Sequence, residues 1–120
     1  AEVATISGTQ TLTNKTLANA ISTIGSNQQA TSYSLVLSDQ SKIIEMSGGG
    51  ILTIPTDSVA FPVGTYIVVL QTGVNQVTIA GASGVTVVST PGLKLRTQYS
   101  MATLIKRASN SWIVAGDVIA

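Results

Sequence analysis

The chain contains no cysteine and no histidine. The first absence excludes a disulfide framework, a thiolate metal site and a cysteine nucleophile. The second removes the commonest general base, the usual pH switch near neutrality and the commonest transition-metal ligand. Charge is scarce as well. Asp, Glu, Lys and Arg make up 9% of the residues and sum to a net charge of +1, against about 25% charged residues in an average soluble domain. So weak a basic balance points to neither nucleic acid nor an anionic membrane surface as a partner. Aromatic residues are few, at 4%, which leaves no stacking platform for sugars or single-stranded nucleic acid. The longest apolar run, Tyr66 to Leu70, falls far short of the ~20 residues of a membrane-spanning helix, so no membrane insertion is expected. The N-terminus lacks the basic-then-apolar pattern of a secretory leader. A chain that begins at Ala1 reads as processed or as a fragment of a longer protein.

What is present suffices for one domain. The 120 residues can bury roughly 65% of their unfolded surface, enough for a core without metal or disulfide staples. Hydrophobic residues make up an ordinary 44%. Ordinary hydrophobicity with few charges is unusual for a soluble monomer, because charge keeps monomers apart. A subunit that hides surface against copies of itself fits this composition better.

Two regions differ in pattern. Residues 1–30 are rich in Thr, Ser, Asn, Gln and Ala, with sparse Leu12, Leu17, Ile21 and Ile24. Neither a helical period nor a clean alternation is sustained there. This segment is read as an extended N-terminal arm, and those four apolar residues are its candidate docking contacts. A disordered linker is the alternative.

From residue 31 to 120 the pattern is that of short strands separated by turn residues, about eight of them, at spacings that suit a β-sandwich or a jelly-roll-like domain. Tyr33, Leu35 and Leu37 alternate with Ser34, Val36 and Ser38, and Lys42 to Met46 makes a second strand. Gly48-Gly49-Gly50 forms a loop, and Pro55 ends the strand carrying Leu52 and Ile54, since proline cannot donate to a ladder. Thr65 to Gln71 is apolar on both faces. Such a strand lies covered on both sides. In a small antiparallel domain the second cover is either the monomer's own core or another subunit. Met101 to Lys106 and Trp112 to Ala115 flank Arg107 to Ser111, which reads as a hairpin loop. The expected class is all-β.

Little in the sequence suggests catalysis. The carboxylates are Glu2, Asp39, Glu45, Asp57 and Asp117. A glycan-cleaving enzyme needs two of them facing each other across a sugar bond, but Asp39 and Asp57 fall in turns where Asp bonds its own backbone. A serine hydrolase lacks both its histidine and its nucleophile elbow. Gly48-Gly49-Gly50 leads into a strand, not into the helix that phosphate binding requires. No cofactor is expected. Lys94, Arg96, Lys106 and Arg107 are the one basic grouping. They read as a contact for an anion such as an acidic glycan, or as a solvated strand face that prevents edge-to-edge aggregation. Trp112, the sole tryptophan, is either a sugar-stacking residue or a core residue with a satisfied N–H.

Gly8 to Leu17 read GTQTLTNKTL. With the blocks Ser32 to Asp39, Ile43 to Met46, Leu52 to Pro55, Ala60 to Thr65, Tyr99 to Arg107 and Trp112 to Asp117, this run resembles bacteriophage virion structural proteins, the tail fibres and capsid decorations. The blocks cover most of the chain. The resemblance implies a homotrimeric, β-structured, non-enzymatic part of the virion, placed on the capsid surface or in a tail appendage, with major capsid or tail proteins as partners. In long fibres the threonine-rich motif recurs in tandem. Here it occurs once, which suits a decoration, a head fibre or a terminal knob better than a shaft. The alternative function is a glycan-binding fibre tip that contacts a host surface glycan through Trp112 or Tyr99. A polysaccharide-degrading enzyme is a more distant third.

Overall fold

The computed structural model describes residues 13, 14, 16, 18, 19 and 21–120. Among them the chain forms eleven strands: β1 (Gly25–Gln29), β2 (Tyr33–Ser34), β3 (Lys42–Met46), β4 (Gly50–Ile54), β5 (Tyr66–Gln71), β6 (Val77–Gly81), β7 (Thr86–Ser89), β8 (Lys94–Leu95), β9 (Met101–Ala108), β10 (Ser111–Gly116) and β11 (Val118–Ile119). A single 3-10 turn at Leu37–Asp39 is the one helical element among the described residues. The fold is all-β. Six strands form one sheet in the order β1-β3-β5-β9-β10-β7, and five form the other in the order β11-β8-β6-β4-β2.

Alternation along each strand fills the space between the sheets. Ile44 and Met46 of β3, Leu52 and Ile54 of β4, Ile67 and Val69 of β5, and Val77 and Ile79 of β6 all point inward and are buried. Side chains of period two reach one face only, so each strand delivers two apolar groups to the core. Each such burial is worth about 1.5–3 kcal/mol.

The path of the chain departs from the expected antiparallel domain. Five of the nine strand pairings are parallel, and four are antiparallel. From β1 to β6 the chain changes sheet at every connection. Gly25 pairs with Lys42 and Ile43 with Val68 in one sheet, while Tyr33 pairs with Leu52 and Gly50 with Val77 in the other. Parallel neighbours need a long crossover, usually a helix. Here a strand of the opposite sheet serves as the crossover. The result is three stacked coils around one core, closed by the antiparallel β9–β10 hairpin against β5.

Stacking brings backbone onto backbone at the corners. A Cβ on Gly48 would collide with the carbonyl oxygen of Ala30, and one on Gly73 with that of Ser47. Only glycine fits where successive coils approach so closely.

Two strands escaped the sequence reading. β1 lies inside the segment assigned to the arm, so the β domain takes in Gly25–Gln29 as well as 31–120. Its sequence, GSNQQ, has no apolar residue to betray a strand. β11 is only two residues long, too short to show a period. The hairpin is present, but its loop is only Ser109-Asn110: Arg107 and Ala108 belong to β9 and Ser111 to β10.

Candidate functional site

The residues of the six-stranded sheet that do not face the core form an outer surface, and its register is explicit. Tyr66 of β5 pairs with Ile105 of β9, Ile105 with Ile113 of β10, and Ile113 with Val88 of β7. These four make a continuous row of large apolar side chains, each more than a third exposed. The next row runs from Ile43 through Val68 and Thr103 to Ala115. A third carries Glu45, Leu70 and Met101. Tyr66, Val68 and Leu70 are thus the outward half of the two-faced strand, while Ile67, Val69 and Gln71 are its buried half.

Charge is confined to the ends of this surface. Glu45 accepts a hydrogen bond from the Ser26 hydroxyl. Arg107 lies exposed near the far end of β9. An apolar sheet face without cover costs solvation free energy at roughly 25 cal/mol per Å². Large exposed apolar patches mark interaction surfaces.

The basic grouping does not assemble. Lys94 lies on β8 of the five-stranded sheet and Lys106 on β9 of the other, so the strands that were to bring them together do not pair. Lys106 is only 5% exposed. It shares inward parity with Ala102 and Leu104, and its ammonium donates to the Phe61 carbonyl oxygen at 2.7 Å and pairs with Asp57 at 2.8 Å. That alternation is the signal that would have placed it inside, and an external anion contact through Lys106 is corrected accordingly. Arg96 donates through Nε and Nη2 to the two oxygens of Asp117, at 2.8 and 2.9 Å. Lys94 and Arg107 are exposed.

Trp112 is 1% exposed and meets Phe61 edge-on, with centroids 5.6 Å apart. A stacking contact between Trp112 and a sugar is therefore corrected to a core role. Tyr99, by contrast, is 69% exposed and sits at φ 69°. In the arm, Ile21 is 92% exposed and Ile24 53% exposed, so neither is buried against the described residues. Leu12 and Leu17 lie outside the described residues.

The carboxylates are held by local partners. Asp57 accepts from Lys106, from Ser109 Oγ at 2.5 Å and from the Asn110 N–H at 3.1 Å. These donors, Lys106 first, hold its carboxyl at about 2. Arg96, then Ser100, keeps Asp117 below the ordinary value, and Asp117 in turn raises the Arg96 guanidinium. Asp39 is buried and accepts from Asn27 Nδ2, the Tyr33 hydroxyl and the Val36 N–H. Burial and then the Asp39 bond raise the Tyr33 phenol. Asn27 and Tyr33 thus tie β1 and β2 to the turn after β2, a polar link where β1 has no apolar one. A depression of about 420 Å³ at the end of β1 and β3 is lined by Gln28, Gln29, Ala30, Glu45, Ser47 and Thr72. Among the described residues no group of three or more carboxylates stands where it could hold a metal ion.

Comparison of the chain with protein-family models, characterised proteins and solved structures finds no match. The class that fold and surface define is an all-β, two-sheet sandwich with one apolar outer face.

Proposed function

We propose that the chain is a non-enzymatic structural subunit of a bacteriophage particle, a capsid decoration, head fibre or tail-fibre component that works as a homotrimer. The observation that carries this reading is the uncovered apolar face of the six-stranded sheet. A protein with 9% charged residues has little else to keep such a face in water. The similarity of the GTQTLTNKTL arm and the β-domain blocks to phage virion proteins supplies the kind of particle. The exposed Ile21 and Ile24 suit an arm that docks on a neighbour or on the capsid. Assembly is the mechanism: apolar area is removed from water on contact, and the arm adds a second attachment.

Labelling an epitope on intact particles and imaging them tests the reading. Density at regular capsid or tail positions is expected. Deleting residues 1–24, upstream of β1, is expected to leave the β domain folded and to empty those positions. Normal occupancy by the truncated protein would sink the arm's role.

One observation favours a glycan-binding fibre tip as a second reading: Tyr99 is a large aromatic held exposed in the left-handed region, and sugars stack on such faces. A glycan-array screen of the full chain against a Tyr99→Ala variant decides it. Binding that disappears in the variant supports the tip.

A further inference from the structure

We infer that the outer face of the six-stranded sheet is a contact between copies of this chain, each copy's face seated against that of a sibling. This rests on the self-association in the reading above and names its surface. Identical faces seated on one another join copies in pairs, so the contact accounts for pairing and not for a three-fold assembly. The first argument is relief. The row Tyr66–Ile105–Ile113–Val88 is a ridge of large side chains. Beside it, Thr103 and Ala115 form a groove of small ones. Packed sheets interdigitate ridge into groove. This face carries both, side by side, so a displaced identical face fits it.

The second argument is area. Six strands at about 4.8 Å spacing span about 24 Å, and five or six residues run about 18 Å. The projected footprint is about 430 Å² before side-chain relief is counted, so two copies bury on the order of 1,000 Å², the size at which specific interfaces begin. The third is charge placement. Glu45 and Arg107 stand at opposite ends of the face, and the field between them carries no charged side chain. An apolar centre with a polar rim is the anatomy of an interface.

The test uses the full chain. Light scattering at micromolar concentration is expected to give a whole multiple of the 12.3 kDa subunit. Ile105→Glu, at an already exposed position, is expected to reduce it to one copy with an unchanged far-UV spectrum. Ile51→Glu, exposed on the other sheet, is expected to keep the wild-type mass. Because the chain has no cysteine, Thr103→Cys gives a unique thiol. A short bifunctional maleimide is expected to join copies through it, and not through Ile51→Cys. This arm decides the matter if Ile105→Glu unfolds. A monomeric wild type, an Ile105→Glu variant that keeps the oligomer, or equal cross-linking at both cysteines overturns the inference. An oligomer that Ile105→Glu dissociates but that is absent from particles would leave the interface standing and remove the virion reading instead.

Discussion

Asp57 and Asn110 hold each other by a reciprocal pair of hydrogen bonds. The Asp57 N–H donates to Asn110 Oδ1 at 2.8 Å, and the Asn110 N–H donates to Asp57 Oδ1 at 3.1 Å. The pair joins the loop after β4 to the tip of the β9–β10 hairpin, which are distant in sequence. Asn110 stands at φ 49°, a conformation asparagine tolerates better than most residues. Replacing it separates the two roles. Asn110→Gly loses the acceptor and keeps the conformation. Asn110→Ala loses both, and is expected to be less stable than Asn110→Gly by about 1 kcal/mol. Urea unfolding of the two variants measures the difference, and equal stability would refute the strain argument.

Acid stability follows from the same carboxylate. Its folded value of about 2 lies below the ordinary 3.8. The unfolded chain therefore takes up a proton before the folded state does, and the group favours folding above about pH 4. That contribution is lost as pH falls through about 2. Asp117 is shifted in the same direction and adds to the slope. The wild type is expected to lose stability between about pH 4 and 2, and Asp57→Asn to show a shallower fall. Urea midpoints across that range test it. Parallel profiles would show that Asp57 contributes nothing to the acid limb.

Buried Trp112 gives an optical readout. Its emission is expected to be blue-shifted and resistant to acrylamide in the folded protein, and unchanged on adding glycans. Trp112→Ala removes the indole and its edge contact with Phe61 and is expected to cost about 3–5 kcal/mol. Strong quenching in the native state would contradict the core placement.

The coil corners predict a pair of sensitive glycines. Gly48→Ala and Gly73→Ala each push a methyl group into a backbone carbonyl of the preceding coil, where no flexible side chain can yield. Each is expected to destabilise by about 2 kcal/mol or more, at the upper end for single substitutions. Gly84→Ala is the comparison for space, since nothing stands near its Cβ, although its φ of 91° adds backbone strain of its own. If the corner variants melt with the wild type, the coils do not stack as described.

The class of the fold was legible because the strands obey period two. Tyr66 to Gln71 shows this best: apolar on both faces in sequence, it proves to be half core and half outer surface. The same alternation places Lys106 inside, in step with Ala102 and Leu104, although its charge invited an outside reading. Pairing was not legible. Period two tells which way a side chain points and nothing about which strand lies alongside, so the parallel coils were missed. β1 was missed for another reason. It is held by backbone pairing to β3 and by the Asn27 bonds to Tyr33 and Asp39, and neither leaves an apolar mark. The outer face could be seen strand by strand in Tyr66, Ile105 and Ile113, but only the register shows that they form one row.

The stacked corners also limit growth. Counting on from the pairing of Gln29 with Met46 and of Met46 with Gln71, Thr31 occupies the place that Gly48 and Gly73 hold in the later coils. A threonine there carries the Cβ that those two positions exclude. Another coil with the same corner, from a second copy or from a tandem repeat, would meet that side chain where it needs bare backbone. The stack is thereby blunted at its first turn. If copies pair through the sheet face as inferred above, they would sit side by side, and an end-to-end stack in the same register would have to displace the Thr31 side chain.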